Sequence, residues 1–498
     1  MTARLTVIGG GLAGCEAAWQ AAGAGVDVDL YEMRPERSGP AHQTARLAEL
    51  VCSNSLRGAA LENAVGLLKE ELARLDSIII TSAREAAVPA GGALAVDREK
   101  FADAVEARIT AHPRIALHRD EVTSIPRDRP TIVACGPLPN EEFLASLDAL
   151  VGKRLAYFDA ASPIVAADSI DESPMYRKSR YEKGDGDDYV NIPLDREQYA
   201  QLLHDLRTLE RHAPKGFELE TKTKYFEGCL PIEEMADRGD DVLRFGPLKP
   251  VGLRDPRTGK TPHAVVQLRK ENADGTAFNL VGFQTRLAWP AQKEAFGKLP
   301  GLANAEWLRL GVMHRNTFID SPRLLDAHLR LRGHDALYFA GQITGAEGYV
   351  EAAACGAMTG IHASRAILGL HEFRHTRVIA GPAGRRAIGG AADQQREARG
   401  GVVGQFAGKT QLHVSPIALV ETHGQKENVH GFAQCLKQLG IRHEPARFDV
   451  RQCQQRRGRI RAGKQHEPST HRPNHLREVR QQPHITWRVN RSGVAEMD

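Results

Sequence analysis

The sequence predicts an α/β fold with a parallel sheet, an inserted α+β domain and a C-terminal tail that is disordered or frameshifted. Three observations lead to this prediction. Short apolar runs alternate with helical patterns over residues 1–154, the composition changes over 155–295, and a strand–turn–helix pattern returns over 296–370. We therefore expect the first and third segments to form one domain and the second to be the insertion. Residues 371–498 match no expected fold.

The chain opens with the pattern of a Rossmann-like dinucleotide site. Residues 5–8 are a short apolar run typical of a buried strand, and the Ala-rich residues 12–22 predict a helix. The run at 26–31 predicts a second strand that ends beside Glu32, 18 residues after Gly14. A strand, glycine turn and helix followed by an acid at this distance form the βαβ dinucleotide fingerprint.

Each fingerprint position has a physical role. Gly9 permits the tight turn, Gly11 leaves room for a pyrophosphate at the helix N-terminus, and Gly14 lets the helix pack closely on the strand. Glu32 is placed to accept hydrogen bonds from ribose hydroxyls. The alternative is a glycine-rich turn without a ligand, and the fingerprint does not distinguish FAD from NAD. The predicted cofactor-binding residues are Gly9, Gly10, Gly11, Leu12, Ala13, Gly14 and Glu32.

Further patterns complete the two domains. Apolar residues at helical spacing over 61–75 predict a helix, and the run at 131–137 predicts a buried strand that ends in a turn. Residues 263–268 indicate a strand of the insertion. A strand at 336–341 and an Ala-rich helix at 350–368 close the nucleotide fold, with the helix N-terminus facing the cofactor. The residues expected to contact the cofactor there are Gly341, Gln342, Gly348 and Tyr349.

Composition excludes several classes of protein. At 498 residues the chain is long enough for two or three domains, and no apolar run reaches the ~18 residues of a membrane span. No leader precedes the first strand, which predicts a cytoplasmic protein. The seven cysteines form no C-x-x-C, and the H-E-x-x-H match at 371–375 follows a predicted helix instead of lying on one. We therefore expect no metal site.

Two cysteines lie in stretches typical of constrained sites. Cys52 precedes residues 53–55, Ser-Asn-Ser, which indicate a turn or a helix start, and Arg57 is placed to add positive potential. Cys229 stands between a glycine and Leu-Pro, which favours a loop. Residue chemistry alone allows each to be a catalytic thiol or a buried structural one.

A third stretch, residues 311–318, places three polar side chains next to one another: His314, Arg315 and Asn316. One interpretation is an exposed turn. The other is a clamp for an anionic or planar substrate, in which the Arg315 guanidinium is the fork.

Together these stretches resemble the folate- and FAD-dependent tRNA (uracil-5-)-methyltransferases of the TrmFO type, from residue 1 to about 369. A larger cousin, the flavoprotein of tRNA uridine carboxymethylaminomethyl modification, shares the fingerprint but is not expected to carry the two cysteine-bearing runs. The runs that carry the resemblance are V-I-G-G-G-L-A-G-C-E-A-A at 7–18, E-L-V-C-S-N-S-L-R at 49–57, F-E-G-C-L-P-I-E at 226–233, F-G-P-L-K-P-V-G-L at 245–253, N-L-V-G-F-Q-T at 279–285, G-V-M-H-R-N-T-F at 311–318 and G-Q-I-T-G-A-E-G-Y-V-E-A-A at 341–353.

The resemblance implies FAD as cofactor, methylenetetrahydrofolate and NAD(P)H as co-substrates, and tRNA as partner. The implied reaction methylates C5 of uridine 54 in the T-loop and gives ribothymidine. It also implies that Cys229 is the nucleophile that adds to C6 of the uracil, with Cys52 as its partner near the flavin. Two other interpretations stay open: a flavin oxidoreductase of another class, and a C-terminally damaged flavoprotein without catalysis.

The tail differs in character from the rest of the chain. Residues 371–498 carry 22 Lys and Arg against 11 Asp and Glu, a net charge of +11, whereas residues 1–370 carry 44 against 51, a net charge of −7. The tail lacks Tyr and helical or strand periodicity, and it lacks the helical segment that the family carries after the Ala-rich helix. A solvated segment and a nucleic-acid arm are alternatives. We favour a frameshift.

Overall fold

The computed structural model describes residues 4–152, 154–212 and 230–370, and the backbone of 488–489 and 495–496. The described strands are β1 (Arg4–Ile8), β2 (Asp27–Tyr31), β3 (Ser55–Gly58), β4 (Ala87–Val88), β5 (Ala93–Val96), β6 (Ile115–His118), β7 (Thr131–Val133), β8 (Leu155–Ala160), β9 (Ile164–Ala166), β10 (Tyr176–Arg177), β11 (Tyr189–Leu194), β12 (Ala264–Lys270), β13 (Ala277–Leu280), β14 (Trp307–Arg309), β15 (Met313–Phe318), β16 (Leu337–Phe339), β17 (Arg488–Val489) and β18 (Ala495–Glu496). The described helices are α1 (Leu12–Gly23), α2 (Ala64–Arg74), α3 (Ile78–Glu85), α4 (Arg98–Ala111), α5 (Glu141–Val151), α6 (Arg196–Thr208), α7 (Ile232–Asp237), α8 (Val242–Phe245), α9 (Trp289–Gly297), α10 (Ser321–Leu324) and α11 (Tyr349–Ile367).

A parallel sheet organises the first and last parts of the described chain. Its strand order is β16-β7-β1-β2-β6, and every pairing between neighbours is parallel. Val7 on β1 and Leu30 on β2 have no exposed surface, as expected for strands covered on both faces. The predicted βαβ unit is confirmed as β1, α1 and β2, and with it the α/β fold class.

Helices α1 and α11 pack closely against each other because both are rich in small residues. A Cβ atom added at Gly356 would lie 2.2 Å from the carbonyl oxygen of Ala13, and one at Gly360 would lie 2.4 Å from that of Ala17. Real Cβ atoms do not approach backbone so closely, so glycine is required at both positions. The contact fixes the C-terminal helix onto the helix that follows the glycine turn.

The second large sheet is antiparallel and has its own core. Its order is β10-β11-β12-β13-β9-β14, and helix α9 covers it through Phe296, which packs edge-to-face on Phe283 at 5.2 Å. This sheet accounts for the α+β texture that the sequence predicts for the insertion. One of its strands, β14, lies beyond residue 295, and the domain boundaries themselves remain predictions.

Two smaller sheets connect these parts. Strands β3, β5 and β4 form a three-stranded antiparallel sheet. Strands β8 and β15 form an antiparallel pair along six residues, in which His314 lies opposite Asp159 and Met313 opposite Ala160. The predicted turn at 311–318 is therefore wrong for most of its length, because the stretch is a paired strand from Met313.

The distal part of the chain forms a separate unit, residues 433–498, in which β17 and β18 pair antiparallel. The rest of the tail, including the segment at 371–375, lies outside the described residues. No helix in the described part of the chain combines the length and hydropathy of a membrane-spanning segment.

Candidate active site

A cavity of about 1370 Å³, partly open to solvent, lies at the carboxyl ends of the parallel strands. The turn after β1, the residue after β2 and the turn after β7 all contribute to its wall, through Gly11, Glu32 and Gly136. The carboxyl ends of parallel strands are where open α/β sheets bind ligands. The predicted cofactor residues Gly9, Leu12 and Ala13 also line it.

The glycine turn has the shape of a phosphate cradle. Gly9 has a φ of +106°, and a Cβ atom at Gly14 would lie 1.7 Å from the carbonyl oxygen of Gly9, so neither position accepts a side chain. Gly11, by contrast, has no heavy atom within 4 Å of its would-be Cβ. Gly11 is also the N-cap of α1, and no side chain caps that helix. The first-turn N–H groups and the helix dipole therefore face open space suited to an anion.

Glu32 lines the cavity, but it already has partners within the protein. The Gly10 N–H donates to its carboxylate at 2.9 Å, and the Arg34 Nε–H donates at 2.7 Å. Burial raises the pKa of Glu32, but the hydrogen bonds and charge of Arg34 outweigh it, so this pKa lies below its usual range. The ionised carboxylate keeps acceptor capacity for a ribose hydroxyl. The fully buried Arg34 was missed in the sequence, although it stands only two residues after Glu32.

The second strand–turn–helix contributes part of its predicted set. Gly341, Gln342 and Tyr349 line the cavity. Gly348 does not; it precedes α11 with a φ of +101°, where its would-be Cβ lies 2.4 Å from the Arg57 guanidinium. The geometry assigns Gly348 to the helix start and leaves the other three on the cavity wall.

Cys52 lies in the cavity wall, held by three hydrogen bonds. Its thiol donates to the carbonyl oxygen of Ala160 at 3.6 Å. The N–H groups of Cys52 and Ser53 both donate to the Tyr349 hydroxyl oxygen, at 2.8 and 3.1 Å. The predicted turn is confirmed but the alternative of a helix start is wrong, since the loop leads into strand β3.

The positive charge near Cys52 comes from residues other than the predicted one. Arg57 forms an ion pair with Glu351, so its charge is compensated there. Arg98 and Arg309 are the guanidinium groups whose charges act on Cys52. No local motif in the sequence identifies either arginine, because both come from elements far from residue 52 in the chain.

Two of the buried arginines also fix the Cys52 loop. Arg98 forms an ion pair with Glu271 at 2.5 Å and donates to the carbonyl oxygen of Leu50. Arg269 donates to Asn54 Oδ1 at 2.8 Å and to Ser53 Oγ at 2.9 Å. The loop that carries the thiol is therefore tied to strand β12 of the antiparallel sheet and the residue that follows it.

The β8–β15 pair adds two titratable side chains to the cavity, Asp159 and His314. Burial raises the pKa of Asp159 to about 6, although a hydrogen bond from Asn316 lowers it. Burial, and then the charge of Arg309, lowers the pKa of His314 to about 4. His314 is therefore a neutral imidazole at physiological pH, and its buried Nε2 has no hydrogen-bond partner in the described part of the chain.

The predicted clamp is only partly assembled. His314 and Asn316 line the cavity, whereas Arg315 is exposed and absent from its wall. Successive side chains of a strand point to opposite faces, which is why three adjacent polar residues do not converge. The structure does not bring the predicted Arg315 fork together with the other two.

Cys229 lies outside the described residues. The described chain resumes at Leu230, and the Ile232 N–H donates to the carbonyl oxygen of Gln284 at 2.7 Å. The next residue, Thr285, donates through its N–H to Ala161 of the cavity wall at 3.4 Å. The described residues nearest to Cys229 in sequence are thus anchored beside the cavity.

The other described cysteines have burial-raised pKa values. Burial raises the pKa of Cys135 to about 12 and also raises those of Cys15 and Cys355. A thiol that resists ionisation is a poor nucleophile. Among the described residues there is no cluster of His, Cys, Asp or Glu that suits a metal ion.

Comparison with known proteins gives concordant matches. The sequence model described as glucose inhibited division protein A (GIDA) matches residues 4–371. Methylenetetrahydrofolate--tRNA-(uracil-5-)-methyltransferase TrmFO of Geobacter sulfurreducens is 57% identical over 369 residues, which are 74% of this chain and 84% of that protein. The TrmFO of Anaeromyxobacter dehalogenans 2CP-1 is 58% identical over 367 residues, 73% of this chain and 80% of that protein. Among solved structures, Aquifex aeolicus GidA in its form II crystal has a TM-score of 0.56 at 16% identity, covering 75% of this chain and 64% of that one.

Proposed function

The chain belongs to the glucose inhibited division protein A family and to the methylenetetrahydrofolate--tRNA-(uracil-5-)-methyltransferase TrmFO family, and from that premise we propose that it methylates C5 of uridine 54 in the tRNA T-loop. The product is ribothymidine, the carbon comes from methylenetetrahydrofolate, and NAD(P)H supplies the electrons. The observation that carries the proposal is Cys52 in the wall of a dinucleotide-type cavity. A cytoplasmic location goes with a tRNA substrate.

The residues present fit FAD. The open space at Gly11 and the uncapped start of α1 suit its pyrophosphate, and Glu32 suits its ribose. Gly341, Gln342 and Tyr349 would line the rest of the cofactor's path. When bound and reduced, FAD supplies the hydride and passes on the one-carbon unit that together become the methyl group.

The two cysteines address the weak nucleophilicity of uracil C5. Addition of a thiolate at C6 makes C5 part of an enolate, which attacks an electrophilic carbon. We assign this addition to Cys229, whose neighbour Leu230 begins the described segment anchored beside the cavity. Cys52, held by Tyr349 and Ala160, is its partner on the cofactor side.

His314 and Asn316 supply the substrate side of the cavity. A neutral imidazole and an amide suit a flat heterocycle with hydrogen-bonding edges, such as the pteridine ring of the folate. Asp159 lies opposite His314 and is available to hold a proton there. Water is kept out mainly by the apolar part of the cavity wall, to which Val51, Ala160 and Ala161 contribute.

Release of tritium from tRNA labelled at uridine C5 tests the proposal. The full chain should release tritium only with methylenetetrahydrofolate and a reductant present. Cys52→Ala and Cys229→Ala should each lower the rate by several orders of magnitude, because loss of the covalent step is not compensated elsewhere. Cys355→Ala is the matched control, expected to keep its rate at a stability cost of about 1 kcal/mol. Release by the parent protein without folate, or near-parental release by Cys229→Ala, would contradict the assignment.

A further inference from the structure

Arg309 ends strand β14, the edge strand of the antiparallel sheet, and its side chain is half-buried. Within residues 4–152, 154–212 and 230–370, its guanidinium forms neither a hydrogen bond nor an ion pair. A buried cation without a partner is costly, and proteins normally satisfy such a group with a carboxylate, a water molecule or a ligand. Five N–H donors on a permanently charged fork are therefore left for something that binds at this place.

The surroundings of Arg309 increase its need for an anion. The charges of Arg98 and Arg309 oppose each other. Glu271 forms its ion pair with Arg98, and Arg269 is held by the neutral side chains of Asn54 and Ser53. Three guanidinium groups thus share one nearby carboxylate. The region beside the Cys52 loop carries an excess of positive charge.

The charge of Arg309 reaches the reacting side of the cavity. It acts on Cys52 and Tyr349, and it is the second cause, after burial, of the lowered pKa of His314. All three of those residues line the cavity. The anion that completes the site therefore belongs to a molecule bound close to Cys52.

We propose that Arg309 binds the O4 oxygen of the target uracil and stabilises the negative charge that forms there, an assignment that rests on the proposed function. In the step concerned, the thiolate sulfur forms a bond to C6. The C5=C6 π pair then forms a C4=C5 bond, and the C4=O π pair moves onto O4. No group leaves, and nothing is oxidised or reduced. When C5 attacks the one-carbon unit, the charge returns from O4 to the carbonyl.

The uracil oxygen fits this position better than a permanently charged group. O4 is neutral in the free base and becomes anionic only after addition at C6, so Arg309 binds the reacting state more strongly than the ground state. The fork that the sequence predicts at Arg315 is thereby supplied by Arg309, which lies on an adjoining strand. A folate carboxylate and an RNA phosphate are the competing ligands, and the experiment separates them.

The test measures the addition step without folate. The full-length protein is mixed with tRNA carrying 5-fluorouridine at position 54, and the rate of covalent adduct formation is followed by gel shift under denaturing conditions. Arg309→Ala should slow adduct formation on the order of 100-fold, and Arg309→Lys should restore part of the rate. Arg323→Ala, at an exposed arginine of α10, is the control and should react like the parent.

Three further measurements decide between the outcomes. Flavin content and melting temperature should match the parent, with Arg309→Lys as the variant to use if Arg309→Ala unfolds. The KM for methylenetetrahydrofolate and the Kd for tRNA should each stay within about threefold. Parental adduct rates with a raised folate KM would assign Arg309 to a folate carboxylate. Weakened tRNA binding with a shallower salt dependence would assign it to a phosphate. Either result overturns this proposal, whereas a parent protein that forms no adduct overturns the proposed function.

Discussion

Asp159 shows how a single residue depends on the element beside it. Its carboxyl group lines the cavity and lies opposite His314, and the two titrate in opposite senses because both resist charge when buried. Burial raises the pKa of Asp159 to about 6 and lowers that of His314 to about 4. At neutral pH the pair is a carboxylate beside a neutral ring, so the carboxylate is the stronger proton acceptor.

Asp159→Asn should change stability in a pH-dependent way. The folded pKa of about 6 exceeds the ordinary value of 3.8, so the stability contributed by this carboxyl is present below pH 3.8 and is lost as the pH rises through about 6. The variant should therefore gain free energy of unfolding relative to the parent between pH 4 and 6 and hold that gain above pH 6. Urea denaturation at intervals of half a pH unit measures this. Parallel curves for parent and variant would contradict the raised pKa.

The glycine turn illustrates the scale of the element, since its positions respond differently to substitution. Gly11→Val should leave the fold intact, because the space around the would-be Cβ is empty, but it should weaken flavin binding at least tenfold by occupying the phosphate path. Gly14→Ala should disrupt the turn itself, because its Cβ would lie 1.7 Å from the Gly9 carbonyl oxygen. Flavin absorbance and circular dichroism separate the two effects. Gly23→Ala, which meets no atom within 4 Å, is the control.

The contact between α1 and α11 should be equally intolerant of volume. Gly360→Ala would place a Cβ atom 2.4 Å from the Ala17 carbonyl oxygen, and the helices must separate to accept it. We expect a loss of about 1–3 kcal/mol in the free energy of unfolding. Gly297→Ala at the end of α9, whose nearest atom is 4.0 Å away, is the matched control. Equal stability of the two variants, by thermal or urea melts, would show that α11 is not seated this tightly.

Over the whole molecule, the sequence predicts what is local and misses what is distant. The βαβ unit follows from the spacing of Gly9, Gly14 and Glu32, and the structure reproduces it at β1, α1 and β2. The environment of Cys52 does not follow, because Arg98 and Arg309 reach it through tertiary packing. Arg315 fails for a related reason: adjacency in sequence places side chains on opposite faces of a strand. The alternation becomes usable only once the stretch is known to be paired.

The C-terminal tail gives the last prediction. The family match ends at residue 371, and the relative from Geobacter sulfurreducens extends beyond the matched part. Leu368 and Leu370, at the end of the described body, are 45% and 49% exposed, as expected if a further segment packs there in the relatives. Limited proteolysis of the full chain should therefore yield a resistant fragment that ends near residue 370 and retains flavin. A C-terminal tag should be lost at the earliest times. If the tail instead resists the protease as long as the cofactor-binding part does, it has a core of its own and the frameshift interpretation is wrong.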